Sequence, residues 1–293
     1  MIKLDEKKIR KGKAVGLPYV GSKKKISKKI VEIIKQNFGT DKTVYDVFGG
    51  GGAITAELMI NDINVVYNDL DKTITDMFNR VLSQDREWIK TLIVSRDEFI
   101  IIREKENKTV HDELKLLVNS FGNNRIRYLY NKDISNIKYN IAYNIIEKEN
   151  LFSGYKQTDI YRNSLLKPQQ IEQLKRLQQI EQLERLQQLE SLQQTKTKNE
   201  DYKYFSNVTN SVLYLDPPYE KSEIFMYKSH IDYQEFYDWA YKMSKNNIVL
   251  LSSYEVSDDR FECVYEFKNA RSTLSDGNYG KRTEKLFMVK ESD

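Results

Sequence analysis

Cysteine, histidine and proline are scarce in this sequence. Among 293 residues there are one cysteine, two histidines and four prolines. The single cysteine, Cys263, excludes an intrachain disulfide framework, and His111 and His230 stand too far apart to give a metal-ligand spacing. We therefore expect a protein that binds no metal.

Long apolar runs are absent as well. No stretch approaches the roughly 20 residues that a membrane-spanning helix needs. The first residues, MIKLDEKKIRKGK, lack the apolar segment of a secretory signal. These absences predict a cytoplasmic protein without a membrane partner.

Positive charge is concentrated at the start of the chain. The net charge is only +4, but residues 1–29 contain eleven Lys or Arg and two acids, a local balance of +9. A basic segment on a near-neutral body suits attraction to the phosphate backbone of a nucleic acid. A solvated, partly disordered terminus explains the same charge equally well.

Two segments show the alternation of strand and helix that builds a parallel sheet. Residues 26–69 run from an amphipathic helix through the strand KTVYDVF, four glycines and the helix AITAELMIND to the strand INVVYND. Residues 201–293 continue with the strand SVLYL, the helix DYQEFYDWAYKMSK, the strand NIVLLSSY and a closing strand pair, ECVYEFKNA and EKLFMVK. We predict an α/β fold whose core is split between residues 1–100 and 201–293.

The middle of the chain contains a low-complexity repeat. Residues 171–194 read IEQLKRLQQ IEQLERLQQ LESLQQ, with an apolar residue at every third position. The composition favours helix, but a spacing of three turns the apolar stripe by about 60° at each step, so no single face stays apolar. We predict an exposed helical projection, with a partner-binding coiled coil as the alternative.

Four glycines, Gly49 to Gly52, join the first strand to its helix. Glycines at this place let a ligand approach the backbone at the carboxyl edge of the sheet. Asp69 ends the next strand, 19 residues after Gly50, where an acid can hold ribose hydroxyls. The dinucleotide fingerprint fails, because its third Gly or Ala would fall on Thr55 or Ile54. The pattern predicts a nucleoside-type ligand without a required pyrophosphate, and a tight turn without a ligand is the alternative.

Two of the four prolines are adjacent, in the stretch DPPY directly after a strand. Proline fixes φ and restricts the residue before it, so Pro217 and Pro218 make this corner rigid. The Asp216 carboxylate and the Pro217 carbonyl can accept the two hydrogens of one amino group, and the Tyr219 ring can stack on a heterocycle. Two such acceptors orient the amino lone pair toward an electrophile. The alternative is a loop without function.

The motifs and their order resemble a known family. DVFGGGGA and DPPY are similar to motifs I and IV of amino-group DNA methyltransferases that use S-adenosylmethionine. The order of glycine motif, inserted middle and DPPY is that of the α class, the D12 or Dam-type adenine N6-methyltransferases. LPYVGSKKK, YNDLD, SRDEF and RSTLSDGNYGKRTEKLF are similar to further family segments, and SFGNNRIRYLYNKDI is similar to a phage and prophage-associated branch. Four consecutive glycines depart from the family pattern, which asks for two.

The resemblance implies a fold and a reaction. The fold is a Rossmann-like mixed sheet from residues 1–100 and 201–293, with a mainly helical target-recognition region inserted at 101–200. The reaction is site-specific methyl transfer from S-adenosylmethionine to the exocyclic N6 amino group of adenine in double-stranded DNA, after the base is flipped out.

The family's roles carry over to matching residues. The catalytic pocket would consist of Asp216, Pro217, Pro218 and Tyr219. The cofactor would contact Tyr19, Lys23, Asp46, Phe48, Gly50, Gly52, Asp69 and Asp216. Asn124, Arg125 and Arg127 would read base edges, with phosphate contact or plain surface exposure as the alternative.

Two other functions stay open at this point. One is an N4-cytosine DNA methyltransferase, although that group more often carries Ser in place of Asp216. The other is a non-catalytic DNA-binding or scaffold protein that uses the basic segment and the repeat. We expect a monomer or weak dimer in the cytoplasm of a bacterium or phage-infected host cell, with a cognate restriction endonuclease as a candidate partner.

Overall fold

The structure, a computed structural model, describes residues 2–19, 21–164, 174–191, 195–220, 231–271 and 283–290. The chain forms two compact units. The first comprises Met1–Ala14, Lys23–Thr75 and Leu192–Asp293, and the second comprises Val15–Ser22 and Asp76–Ser191. Within the described segments, no helix combines the length and the apolar composition of a membrane span.

A seven-stranded mixed sheet forms the first unit. Its strands are β1 Val44–Asp46, β2 Val65–Asn68, β3 Lys196–Lys198, β4 Val212–Leu215, β5 Ile248–Ser253, β6 Phe261–Arg271 and β7 Thr283–Val289. They lie in the order β3-β2-β1-β4-β5-β7-β6. β1 to β5 pair in parallel, and β7 is antiparallel to both β5 and β6. The predicted α/β fold and its closing strand pair are confirmed, and the two strands of the pair are antiparallel.

The helices, in chain order, are α1 Ser27–Phe38, α2 Ala53–Ile60, α3 Lys72–Leu82, α4 Arg86–Lys90, α5 Arg96–Glu104, α6 Val110–Asn119, α7 Lys132–Glu149, α8 Asp159–Arg162, α9 Lys175–Gln187 and α10 Tyr233–Met243. α1 buries Ile30, Ile33 and Ile34, which is the face that the helical spacing predicts. α2 buries every residue except Ile60, as expected of a helix that is apolar all round.

The core beside β4 fixes the position of the DPPY corner. Leu213 and Leu215 of β4 are fully buried, in one cluster with Phe236 and Trp239 of α10 and Val249 of β5. Burial of each large apolar side chain contributes about 1.5–3 kcal/mol. The strand that carries Asp216 at its end is therefore held by its pairing with β1 and β5 and by its packing against α10.

The basic N-terminal segment is folded against α1 and α2. Arg10 makes a salt bridge of 2.8 Å with the buried Glu57, and Lys29 pairs with Glu6 at 2.6 Å. The backbone amides of Lys3 and Asp5 donate to Asn37 and Gln36 of α1. Residues 2–14 are thus an ordered part of the first unit and not a partly disordered terminus.

The repeat in the second unit is buried, so the predicted exposed projection is wrong. Leu177, Ile180, Leu183 and Leu186 of α9 are completely inaccessible. α9 packs against α4 and α6. Because the apolar stripe turns around the helix, apolar residues point in several directions. Neighbouring helices therefore enclose the helix on several sides and do not cover one face only. Residues 171–173 and 192–194 of the repeat lie outside the described residues.

The assignment of residues 101–200 to target recognition stays a prediction. β3 lies inside that stretch, although it is an edge strand of the sheet. The sequence did not predict β3, because Lys-Thr-Lys has neither an apolar run nor an apolar alternation. Charged side chains suit an edge strand because they oppose pairing with other chains.

Candidate active site

Three acids meet at the carboxyl ends of neighbouring strands. β1 lies between β2 and β4, and Asp46 pairs with Tyr67 on one side and Tyr214 on the other. Asp69 and Asp216 each lie two residues beyond those partners. Ligand sites in such sheets lie at this edge, so the structure brings the glycine motif, Asp69 and DPPY to the expected place.

Backbone geometry explains the glycine loop. Gly50 and Gly52 have φ values of 47° and 68°, in the left-handed region that disfavours side chains. A Cβ at Gly49 would lie 2.4 Å from the ring of Tyr67, whose hydroxyl donates to the Gly50 carbonyl at 2.8 Å. Three of the four consecutive glycines thus have a structural reason. The family pattern, which asks for two glycines, did not predict this.

Asp46 fastens the start of α2. It is buried, and its Oδ2 accepts from the Thr55 amide at 3.1 Å and from the Thr55 hydroxyl at 2.7 Å. Burial, opposed by these bonds and reinforced by Asp216 and Asp69, raises the pKa of Asp46 to about 7. The observed contacts of Asp46 therefore fix the glycine loop to the start of α2. A contact between Asp46 and the cofactor stays a prediction.

Asp69 closes the loop from the other side. One carboxylate oxygen accepts from the Gly50 amide at 2.8 Å, and the other accepts from the Asp71 amide at 2.8 Å. Burial raises the pKa of Asp69, and the two backbone bonds oppose that rise. Phe48, before the loop, packs edge-on against Phe236 at 5.8 Å. The loop is thus anchored in a fixed shape.

Asp216 forms an ion pair with Lys23. The Lys23 Nζ lies 2.8 Å from Asp216 Oδ2, and both side chains are largely shielded from solvent. Burial is the main cause that raises the pKa of Asp216 to about 6, while Lys23 lowers it and Glu284 raises it. The Pro217 carbonyl has no hydrogen bond with any described residue, which leaves this oxygen as an acceptor.

Tyr219 is held by groups that the sequence did not single out. Its hydroxyl donates a short hydrogen bond to Glu284, on β7. Its ring meets the ring of Tyr254 edge-on, with centroids 4.5 Å apart. The hydroxyl of Tyr233, the first residue of α10, donates to the Pro218 carbonyl. Glu284 lies in the segment TEKLF, and its resemblance to the family was the only sequence signal for it.

A family model agrees with this arrangement. The D12 class N6 adenine-specific DNA methyltransferase model matches residues 19–266. The chain belongs to this family. It is an adenine-specific DNA methyltransferase, with DNA as its substrate and, as is general for methyltransferases, S-adenosylmethionine as the methyl donor. The phage-associated branch is not resolved by this match and stays a prediction.

Other comparisons add little to the family assignment. No curated protein matches the chain. Among solved structures, a "putative methylase", HI0767 from Haemophilus influenzae, aligns with a TM-score of 0.35 and 11% identity, covering 93% of this chain and 91% of its own. A "putative methyltransferase", yhhF from Escherichia coli, aligns with a TM-score of 0.35 and 8% identity, covering 94% and 92%. Alignments with TM-scores this low support no conclusion about the fold or the function of this chain.

The remaining predicted residues of the methyltransferase lie in the second unit. Tyr19 belongs to its Val15–Ser22 segment. Asn124 is exposed, and its Oδ1 accepts from the amides of Ile126 and Arg127, so it shapes a turn. Arg125 pairs with Glu113 at 2.9 Å, whereas Arg127 is exposed. Roles in cofactor or DNA contact stay predictions for all of these residues.

Among the described residues, no group of three or more His, Cys, Asp or Glu side chains is arranged to hold a metal ion.

Proposed function

We propose that this chain methylates N6 of a flipped adenine at a pocket formed by Asp216, Pro217, Pro218 and Tyr219. The observation that carries the proposal is the rigid DPPY corner, at the end of β4, beside the strand whose glycine loop Asp69 fastens. A fixed acid, a free carbonyl and an aromatic ring form there the set of contacts that an amino-bearing base requires.

The residues of the loop fit S-adenosylmethionine. Gly50 and Gly52 keep the backbone bare of side chains where a ligand would approach, and the apolar Phe48 ring precedes them. Asp69 retains free lone pairs on both oxygens, because each accepts one backbone bond, and ribose hydroxyls can use them. We propose cofactor contacts also for Tyr19, Lys23, Asp46 and Asp216. The bound cofactor supplies an electrophilic methyl group.

The base pocket acts by orientation. The Asp216 carboxylate and the Pro217 carbonyl accept the two N6 hydrogens, which aligns the nitrogen lone pair for in-line attack. The Tyr219 ring stacks on the base, and such stacking contributes about 1–3 kcal/mol per base. The ionised form of Asp216 is the effective acceptor, and the proton of the methylated nitrogen leaves to solvent.

DNA contacts come from basic and polar side chains. Flipping a base costs a few kcal/mol, which phosphate contacts can offset. We propose such contacts for the N-terminal lysines and for the loop with Asn124, Arg125 and Arg127, where Arg127 is exposed and the Arg125 charge is shared with Glu113. We also propose a cytoplasmic monomer or weak dimer, with a restriction endonuclease as a candidate partner.

A methyl-transfer assay tests the proposed pocket. Purified protein should transfer a labelled methyl group from S-adenosylmethionine to unmethylated DNA, and Asp216→Ala should reduce the rate by at least about a hundredfold, because the charged acceptor is lost. Asp259→Ala, which removes an exposed acid of the same unit, is the matched control and should keep the wild-type rate.

Two outcomes would contradict the proposal. Transfer that survives Asp216→Ala would remove Asp216 from the pocket. Label found on cytosine N4 instead of adenine N6 would overturn the choice of base.

A further inference from the structure

Glu284 lies at the edge of the sheet where β4 and β5 end. β7 runs antiparallel to β5, and Ser253 pairs with Lys285, so Glu284 lies one step further toward the carboxyl end of β5. Its side chain is buried, with 6% of the residue exposed. A buried carboxylate needs partners, because an uncompensated charge is costly to bury. The sequence and the proposed reaction give this acid no role.

One oxygen of Glu284 accepts two hydrogen bonds and faces a cation. Oε1 accepts from the Ser252 hydroxyl at 2.9 Å and from the Tyr219 hydroxyl, and it lies 3.6 Å from Lys23 Nζ. Hydrogen bonds to a charged acceptor are the stronger kind. The hydrogen bond from the Tyr219 hydroxyl to Glu284 and the edge contact from Tyr254 together fix the plane of the Tyr219 ring. A ring that stacks on a base gains from such a fixed plane because less freedom is lost on binding.

Lys23 stands where a bound amino group would have to be. Its Nζ lies 2.8 Å from Asp216 Oδ2 and 5.0 Å from the centre of the Tyr219 ring. It therefore uses the acceptor and the aromatic ring that the proposed pocket offers to a base. A base that lies on the Tyr219 ring and reaches Asp216 with its amino group needs the space that Lys23 occupies. Glu284 is the other carboxylate within 4 Å of Lys23 among the described residues.

We propose that Glu284 is a positioning residue of the base pocket with two tasks. It fixes the orientation of the Tyr219 ring through a hydrogen bond. It also forms an ion pair with Lys23 when the amino group of the base donates to Asp216 in place of Lys23. Lys23 needs only to approach Glu284 from 3.6 Å to the 2.8 Å that it now has from Asp216. The exchange keeps Lys23 beside a carboxylate throughout, which offsets part of the cost of its burial. This inference rests on the proposed function.

Two variants separate the tasks. Glu284→Gln keeps an oxygen for Tyr219 and Ser252 but loses the charge that receives Lys23, whereas Glu284→Ala loses both. Glu262→Gln, an exposed change on the neighbouring β6, is the matched control. We expect single-turnover transfer about tenfold slower for Glu284→Gln and about a hundredfold slower for Glu284→Ala, and a wild-type rate for Glu262→Gln. Active wild-type enzyme establishes the proposed function independently of this result.

Two readouts exclude a purely structural role. Glu284 raises the pKa of Asp216, so Glu284→Gln should shift the acid limb of the pH–rate profile to lower pH. Tyr219→Phe, which removes only the hydroxyl, should slow transfer more in the wild type than in Glu284→Ala, because the short hydrogen bond of this hydroxyl goes to Glu284, whereas its bond to Asp216 is long at 3.4 Å.

The inference fails on either of two results. Glu284→Gln with a wild-type rate and an unshifted acid limb would overturn the exchange of Lys23. Fully additive effects of Tyr219→Phe and Glu284→Ala would overturn the hold on the ring. An inactive wild type would instead refute the proposed function itself, so the two failures are distinguishable.

Discussion

Methyl transfer should weaken as the pH falls below about 6, because Asp216 then gains a proton and loses acceptor strength. Burial raises the pKa of Asp216 to about 6, and Lys23 opposes that rise both by its charge and by its hydrogen bond. About one pH unit below this pKa, about one tenth of the Asp216 carboxyl groups stay ionised. The transfer rate should therefore fall about tenfold at that pH. Within the described part of the chain, the charged groups that act on Asp216 are Lys23, Glu284 and Asp46, and the Tyr219 hydroxyl donates to its carboxylate.

The variant Lys23→Met tests whether Asp216 is the group that causes this pH dependence. Both effects of Lys23 lower the pKa of Asp216, so the variant should move the acid limb of the pH–rate profile to higher pH. A tenfold change in the ionisation constant of Asp216 corresponds to about 1.4 kcal/mol. The transfer rate at limiting DNA and saturating methyl donor, from about pH 5 to about pH 9, reports the groups of the enzyme before the base binds and measures the limb without interference from weaker cofactor binding. Lys25→Met, an exposed neighbour, serves as control. A flat wild-type profile through pH 6, or an acid limb at lower pH in Lys23→Met, would refute the reasoning.

Two further predictions concern stability. Gly49→Ala should lower the free energy of unfolding by about 1–3 kcal/mol, because its Cβ would lie 2.4 Å from the Tyr67 ring. Thermal unfolding measures this, with the exposed Asp259→Ala as control. An unchanged melting temperature for Gly49→Ala would mean that the loop accepts a side chain. Leu183→Ala, in the buried repeat, should destabilise the second unit by about 2–5 kcal/mol, whereas the exposed Lys175→Ala should not, and hydrogen exchange of α9 distinguishes them. Equal exchange in both variants would favour the exposed projection.

The sheet and the motif positions were predictable because their signals are local. Strand periodicity, the glycine run and the paired prolines each lie within ten residues, and parallel order then brings Asp69 and Asp216 to one edge. The need for glycine at position 49 was not predictable, because it depends on the Tyr67 ring from the next strand.

The errors concern contacts that depend on distant sequence. Glu284 follows Asp216 by 68 residues, and only the antiparallel return of β7 brings it to Tyr219. The repeat is enclosed by α4 and α6, and this packing overrides the absence of a single apolar face. β3 has only polar residues and is defined by its pairing with β2.

Sequencing that detects modified bases tests the central claim most directly. DNA from cells that express the protein should carry N6-methyladenine at one recurring sequence, and DNA from cells that express Asp216→Ala should not. The same experiment reports the recognition sequence. DNA without modified adenine in the wild type, or with methylation on cytosine N4, would contradict the account.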